Sequence, residues 1–125
     1  MTEQQEFTAS DIIAKVREVA ARNPGRIYEV PMGGERYYVY DGMPASLEGC
    51  ALWEMGLIDV SLQARWVNEL SIRDLLNTLK VNGTDDEINW LRWSQHYGDH
   101  LDPWGTAVEK ADECLANGIE YRVAS

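Results

Sequence analysis

What most constrains this chain is its punctuation: short stretches of apolar residues at helical spacing, each opened by a hydroxyl or carboxylate side chain and closed by glycine, proline or asparagine. A chain cut this often has to bury several short amphipathic faces against one another, because no one helix of this length is stable in water alone. Ile12, Ile13, Val16, Val19 and Ala20 share one face of a first helix. Thr8 with Asp11, or Ser10 one turn in, starts it, and Asn23-Pro24-Gly25 stops it, proline breaking the hydrogen-bond ladder and glycine permitting a left-handed exit. Residues 45–56 read as a second helix with Leu47, Cys50, Ala51 and Met55 inward and Gly56 as its exit. Gly49 in its middle costs about 1 kcal/mol of helix stability and so implies that another element approaches closely there.

Residues 57–70, which include Trp66, are poorly periodic and read as a connection. Ser71-Ile72-Arg73-Asp74 opens a third helix, with Ile72, Leu75, Leu76 and Leu79 buried and Asn82-Gly83 as its end. Thr84-Asp85-Asp86-Glu87 opens a fourth, strengthened by acids at the positive end of the helix dipole; it is expected to span residues 85–97 and to stop at Gly98. Asp102 is expected to cap a fifth, with Pro103 at the first helical position, where its missing N–H costs nothing. Trp104, Ala107, Val108, Ala111 and Leu115 line that helix, and Asn117-Gly118 closes it.

Two runs at residues 26–30 and 36–40, joined through Gly33-Gly34, have the aromatic and β-branched content of an antiparallel β-hairpin. A two-stranded ribbon is marginal alone, and residues 119–123 alternate correctly for a third strand. The order helix, hairpin, helices, late strand predicts an α+β fold, mainly helical, with about five helices and a small antiparallel hairpin, two- or three-stranded. Its 125 residues suffice for one globular domain over residues 8–125, preceded by a disordered polar tail at residues 1–7.

The 21 acidic and 11 basic residues give a net charge of minus ten. Affinity for a phosphate backbone depends on Lys and Arg displacing counterions, so direct nucleic-acid binding and attraction to anionic membranes are not expected. Residues 1–80 carry twelve acids and eight bases, whereas 81–125 carry nine and three. Solubility explains such a bias; a surface that meets a basic partner, or one that mimics nucleic acid, is the sharper alternative. No segment holds the roughly 20 consecutive apolar residues that cross a bilayer, and Met1-Thr2-Glu3-Gln4-Gln5-Glu6 has neither basic flank nor apolar run, so a cytoplasmic protein is expected. Cys50 and Cys114, with no C-x-x-C pair, fit a reducing compartment and read as small buried side chains rather than nucleophiles.

Few constellations offer chemistry. The stretch His96-Tyr97-Gly98-Asp99-His100-Leu101-Asp102 holds both histidines beside two carboxylates, and His96, Asp99 and His100 are the one candidate metal set, of the kind a small metal-dependent hydrolase uses. Against it, Gly98 is expected to end the helix between the histidines, and the motif lacks the glutamate of H-E-x-x-H. Gly33-Gly34 joins two strands rather than a strand and a helix, which fails the context of a phosphate loop, and no cofactor is expected.

The aromatics say more. Five tryptophans and six tyrosines against one phenylalanine favour rings with a polar atom, which suit surfaces that are dry on one edge and wet on another. Trp90, Trp93 and Tyr97 recur at i, i+3 and i+7 on the fourth helix. With the acids Asp85, Asp86 and Asp99 they form the expected contact surface for a protein partner or for a second copy in a homodimer; core packing is the competing reading.

Two stretches carry a resemblance. Tyr38-Val39-Tyr40-Asp41-Gly42-Met43-Pro44 leading into Leu47-Glu48-Gly49-Cys50-Ala51-Leu52 is the first. Asp85-Asp86-Glu87-Ile88-Asn89-Trp90-Leu91, continuing through His96 and Pro103-Trp104-Gly105-Thr106-Ala107-Val108 to Ala111-Asp112, is the second. Together they resemble a group of small acidic uncharacterised proteins of actinobacteria and their bacteriophages. The group has no assigned activity to carry onto any residue. The resemblance implies a setting, a bacterial or phage-infected cell, in which non-enzymatic modulators of host proteins are common. The expectation is a non-catalytic protein-binding module.

Overall fold

The computed structural model describes residues 7–27, 38–40, 43–58, 71–100 and 102–120. These residues are mainly helical and contain five helices: α1 (Ala9–Arg22), α2 (Leu47–Glu54), α3 (Ile72–Thr78), α4 (Asp85–Asp99) and α5 (Trp104–Ala116). Reciprocal capping boxes start α1 and α4. The Thr8 N–H donates to Asp11 Oδ2 at 2.9 Å while Thr8 Oγ1 accepts from the Asp11 N–H, and Thr84 and Glu87 repeat the exchange at 2.9 and 3.1 Å. Ser46 and Ser71 accept from the third helical N–H of α2 and α3.

α4 is the hub, touching α1, α2, α3 and, most extensively, α5. Ile12, Val16 and Val19 of α1, Leu47, Ala51 and Leu52 of α2, Ile72, Leu75 and Leu76 of α3, Trp90 and Leu91 of α4 and Trp104, Ala107 and Ala111 of α5 close one core. Gly49 shows why α2 tolerates a central glycine: an added Cβ would overlap the backbone carbonyl of Tyr38, which accepts from the Ala45 N–H at 2.9 Å. The predicted close approach is therefore met by backbone.

Four sequence expectations about element ends give way. The left-handed exit at Gly25 is not used; the positive-φ residues among those described are Gly56, Lys80 and Gly118. Residues 23–26 instead form a turn whose carbonyls cap α5, Trp104 N–H donating to Arg26 O at 2.8 Å and Gly105 N–H to Pro24 O at 2.9 Å. Asp102 accordingly does not cap α5; its carboxylate accepts from Lys110 Nζ at 3.0 Å, and Pro103 is the capping residue. α3 ends at Leu79 and Lys80 (φ 59°), not at Asn82-Gly83, the Val81 N–H reaching back to Leu76 O at 2.9 Å. Asn82 O accepts from the Ala9 N–H at 2.8 Å, and Gly83 is small because a Cβ there would lie 2.5 Å from Ala9 Cβ.

The fourth change bears on function. α4 runs through Gly98 to Asp99, with His100 as its C-cap. The long contact with α5 outweighs the cost of one interior glycine.

The expected β-hairpin falls largely on residues outside those described. Among the described residues the strand pairing is a two-residue antiparallel contact, Val39–Tyr40 with Met43–Pro44. Ile119 and Glu120 form no strand: the Ile119 carbonyl is taken by Asn89 Nδ2 and Trp93 Nε1, both at 2.9 Å, which docks this residue on α4, and the rest of the expected third strand, residues 121–123, lies outside the described residues. Residues 1–6 of the expected tail 1–7 and residues 59–70 of the expected connection 57–70 lie outside the described residues, Trp66 among them. None of the described helices is long and apolar enough to cross a membrane.

Candidate functional site

The straight run of α4 through Gly98 sorts its side chains by angle. Ile88, Leu91, Ser94, Gln95 and Gly98 face the core, while Asn89, Arg92, Trp93, His96 and Tyr97 are half-buried. Trp90, Trp93 and Tyr97 lie on the boundary between these two sides, on the seam with α5, and the structure treats each differently.

Trp90 is a core residue, 1% exposed, and it cannot touch a partner. Its Nε1 donates to Asp112 Oδ1 at 2.8 Å, and the Arg17 guanidinium lies 4.8 Å over its ring. The same Asp112 carboxylate receives both Arg17 terminal nitrogens, at 2.7 and 3.0 Å, which ties α1, α4 and α5 at one point. The hydrogen bonds from Arg17, reinforced by the Trp90 indole, hold the Asp112 carboxyl below its ordinary pKa against the opposing pull of burial.

Trp93 and Tyr97 keep part of their surface in water. Their rings stack at 5.7 Å with planes 20° apart. Trp93 Nε1 donates to Ile119 O, and the Tyr97 hydroxyl meets Cys114 Sγ at 3.7 Å, a contact that is the leading cause of the raised Tyr97 pKa. Lys110 Nζ stands 5.0 Å from the Tyr97 ring centroid. His96 packs edge-on against both rings, 5.7 Å from Trp93 and 5.2 Å from Tyr97, and His100 extends the row at 4.3 Å from His96.

At the other end of α4, Asp85 and Asp86 are exposed, and Asp85 pairs loosely with Arg73 at 3.5 Å. An open polar groove runs there past Asn89 and Arg92 to Leu115 and Gly118. Both signs of charge line it. Nothing is described of the Asp99 side chain, so the expected trio of acids reduces here to Asp85 and Asp86.

Among the described residues no group of three or more His, Cys, Asp or Glu side chains could hold a metal, and the Asp99 side chain of the expected set His96, Asp99 and His100 lies outside those described. Burial pushes the Cys50 thiol up to about 11, which makes it a poor nucleophile, and Cys114 is buried beside Tyr97.

Sequence reasoning missed Glu48. It is 1% exposed in the first turn of α2, where the helix dipole favours a carboxylate, and it accepts from Ser94 Oγ of α4 at 2.6 Å. Its position between Leu47 and Gly49 in an otherwise apolar run was the available signal. Next to Ser94, Gln95 Nε2 is buried with no hydrogen-bond partner among the described residues, as is Trp104 Nε1 in the core, where Arg26 covers the ring at 4.6 Å.

Comparison with protein families, with curated proteins and with solved structures gives no match.

Proposed function

We propose that this chain is a non-catalytic binding protein whose contact surface is the half-exposed row Trp93, His96 and Tyr97 together with the exposed carboxylates Asp85 and Asp86. The observation that carries the reading is the stacked Trp93–Tyr97 pair, two large rings at the edge of the core with polar atoms already satisfied by Ile119 and Cys114. Rigid rings of this kind bury much area on association at little entropic cost. The resemblance to small proteins of actinobacteria and their phages adds the setting, a modulator of a host protein in the cytoplasm. Arg73 and Arg92 interleaved with Asp85 and Asp86 favour a mixed-charge protein contact over mimicry of nucleic acid, whose phosphate array is uniformly negative.

The test is affinity capture from a bacterial lysate with wild type, with the charge-reversed pair Asp85→Lys and Asp86→Lys, and with Trp93→Ala, each checked for thermal melting. A host protein retained by wild type, lost from the folded charge variant and not displaced by DNA is the expected result. An identical captured set for all three proteins would refute the surface assignment. Elution of wild type as a dimer that the variants lack would reassign the surface to self-association.

A further inference from the structure

We propose that His96 and His100 form a two-imidazole site for a late first-row divalent cation, Cu2+ before Ni2+ or Zn2+, at the C-terminal end of α4. This goes beyond the binding reading above and does not depend on it. The sequence alone separates the two histidines by a helix-ending glycine; the structure carries the helix through Gly98, so both rings rise from one face a turn apart.

Three observations converge. The ring centroids are 4.3 Å apart with planes tilted by 42°. A metal lies about 2.0–2.1 Å from each coordinating nitrogen, hence about 3.2 Å from each ring centre, and a bite near 90° then places the centroids about 4.5 Å apart. The observed centroid spacing matches that of a chelating pair.

His100 Nδ1 is 2.6 Å from the His96 carbonyl oxygen. A carbonyl only accepts, so Nδ1 carries the proton and the lone pair sits on Nε2, the other nitrogen of an exposed ring. A backbone carbonyl that fixes the tautomer and raises the basicity of the ligating nitrogen is the usual support of a metal-bound histidine. Finally, His100 is the C-cap, at the negative end of the helix dipole, which favours a cation.

Among the described residues two side chains, His96 and His100, supply ligands. Imidazole selects copper, nickel and zinc over magnesium and calcium, and affinity rises toward Cu2+.

The experiment titrates the full chain, purified without a histidine tag, with Cu2+, following tryptophan emission and the electron paramagnetic resonance spectrum. Trp93 is 5.7 Å from His96, so bound copper quenches it. Wild type is expected to take up one Cu2+ per chain, with a spectrum showing two coordinated imidazoles. His96→Asn and His100→Asn each weaken binding by about tenfold or more. Circular dichroism checks that both variants keep the helix, and Asn at position 100 suits a helix end. A titration in which His100→Asn binds as tightly as wild type, or a wild-type spectrum with a single coordinated imidazole, overturns the proposal.

Discussion

Trp90 and Trp93 stand three residues apart on one helix, both donate an indole N–H at 2.8–2.9 Å, and they do different work. Trp90 donates to a carboxylate that already holds Arg17, and its ring is covered by that arginine; Trp93 donates to the Ile119 carbonyl just after α5 and leaves part of its ring in water. A rotation of about 60° around the helix, the difference left by three steps of 3.6 residues per turn, separates a strut of the fold from a candidate contact. Helical spacing alone groups the two residues; their depth is decided by what α5 brings against each.

The largest effect should come from removing the two rings in turn. Trp90→Ala deletes a fully buried indole and is expected to cost about 3–5 kcal/mol in urea denaturation. Trp93→Ala removes a ring that is only half withdrawn from solvent and should cost about 1–2 kcal/mol. Equal losses would mean that Trp93 is as structural as Trp90, and the contact surface would lose its centre.

Next is Asp112→Asn, which keeps the shape of the Trp90 partner and removes its charge. A loss of about 1 kcal/mol is expected at neutral pH, since the Arg17 pair is partly exposed and screened. The folded-state pKa of Asp112 is depressed by Arg17 first and by Trp90 less. Its contribution is therefore complete above the unfolded carboxylate pKa of about 3.9 and is lost as pH falls through the lower folded value. Measured midpoints should show a constant gap between wild type and variant above about pH 5 that closes in acid. A gap that persists unchanged in acid would show that geometry, not charge, joins Trp90 to α1.

Gly118→Ala bears on the Trp93 side. Gly118 closes α5 at φ 67°, with its own N–H on Leu115 O and the Ile119 N–H on Cys114 O. That turn presents the Ile119 carbonyl to Trp93. A side chain at positive φ should cost about 1 kcal/mol and shift Trp93 emission to the red while the Trp90 environment stays unchanged. If emission does not move, the Ile119 contact does not hold Trp93.

The elements themselves were legible because their signals are local. Thr8 with Asp11 and Thr84 with Glu87 form the capping boxes their spacing announces, and Gly56 and Gly118 make the exits expected of them. Signals that depend on a distant partner misled. Gly98 looked like a stop because nothing in sequence shows the length of α5 that holds α4 together. Asp102 looked like a cap because the carbonyls of Pro24 and Arg26, which serve α5 instead, lie far away in the chain. At the candidate site the same rule holds. The i, i+3, i+7 pattern found the aromatic seam, but only the α5 packing shows that Trp90 belongs to the core and that His96 and His100 share a face.

The smallest expected effect is at the other end of α4. Asp85 is 97% exposed in its side chain, its pairing with Arg73 is long at 3.5 Å, and Asp86 and Glu87 remain to meet the positive end of the helix dipole. Asp85→Asn should therefore shift the urea midpoint less than Gly118→Ala does, and the shift should vanish in about 0.5 M salt, where exposed charges are screened within a few ångströms. A larger, salt-resistant loss would place Asp85 among the residues that hold the fold, beside Trp90. A negligible loss joined to weaker capture of a partner would place it with Trp93, because a residue that stability does not need and binding does is acting on something outside the chain.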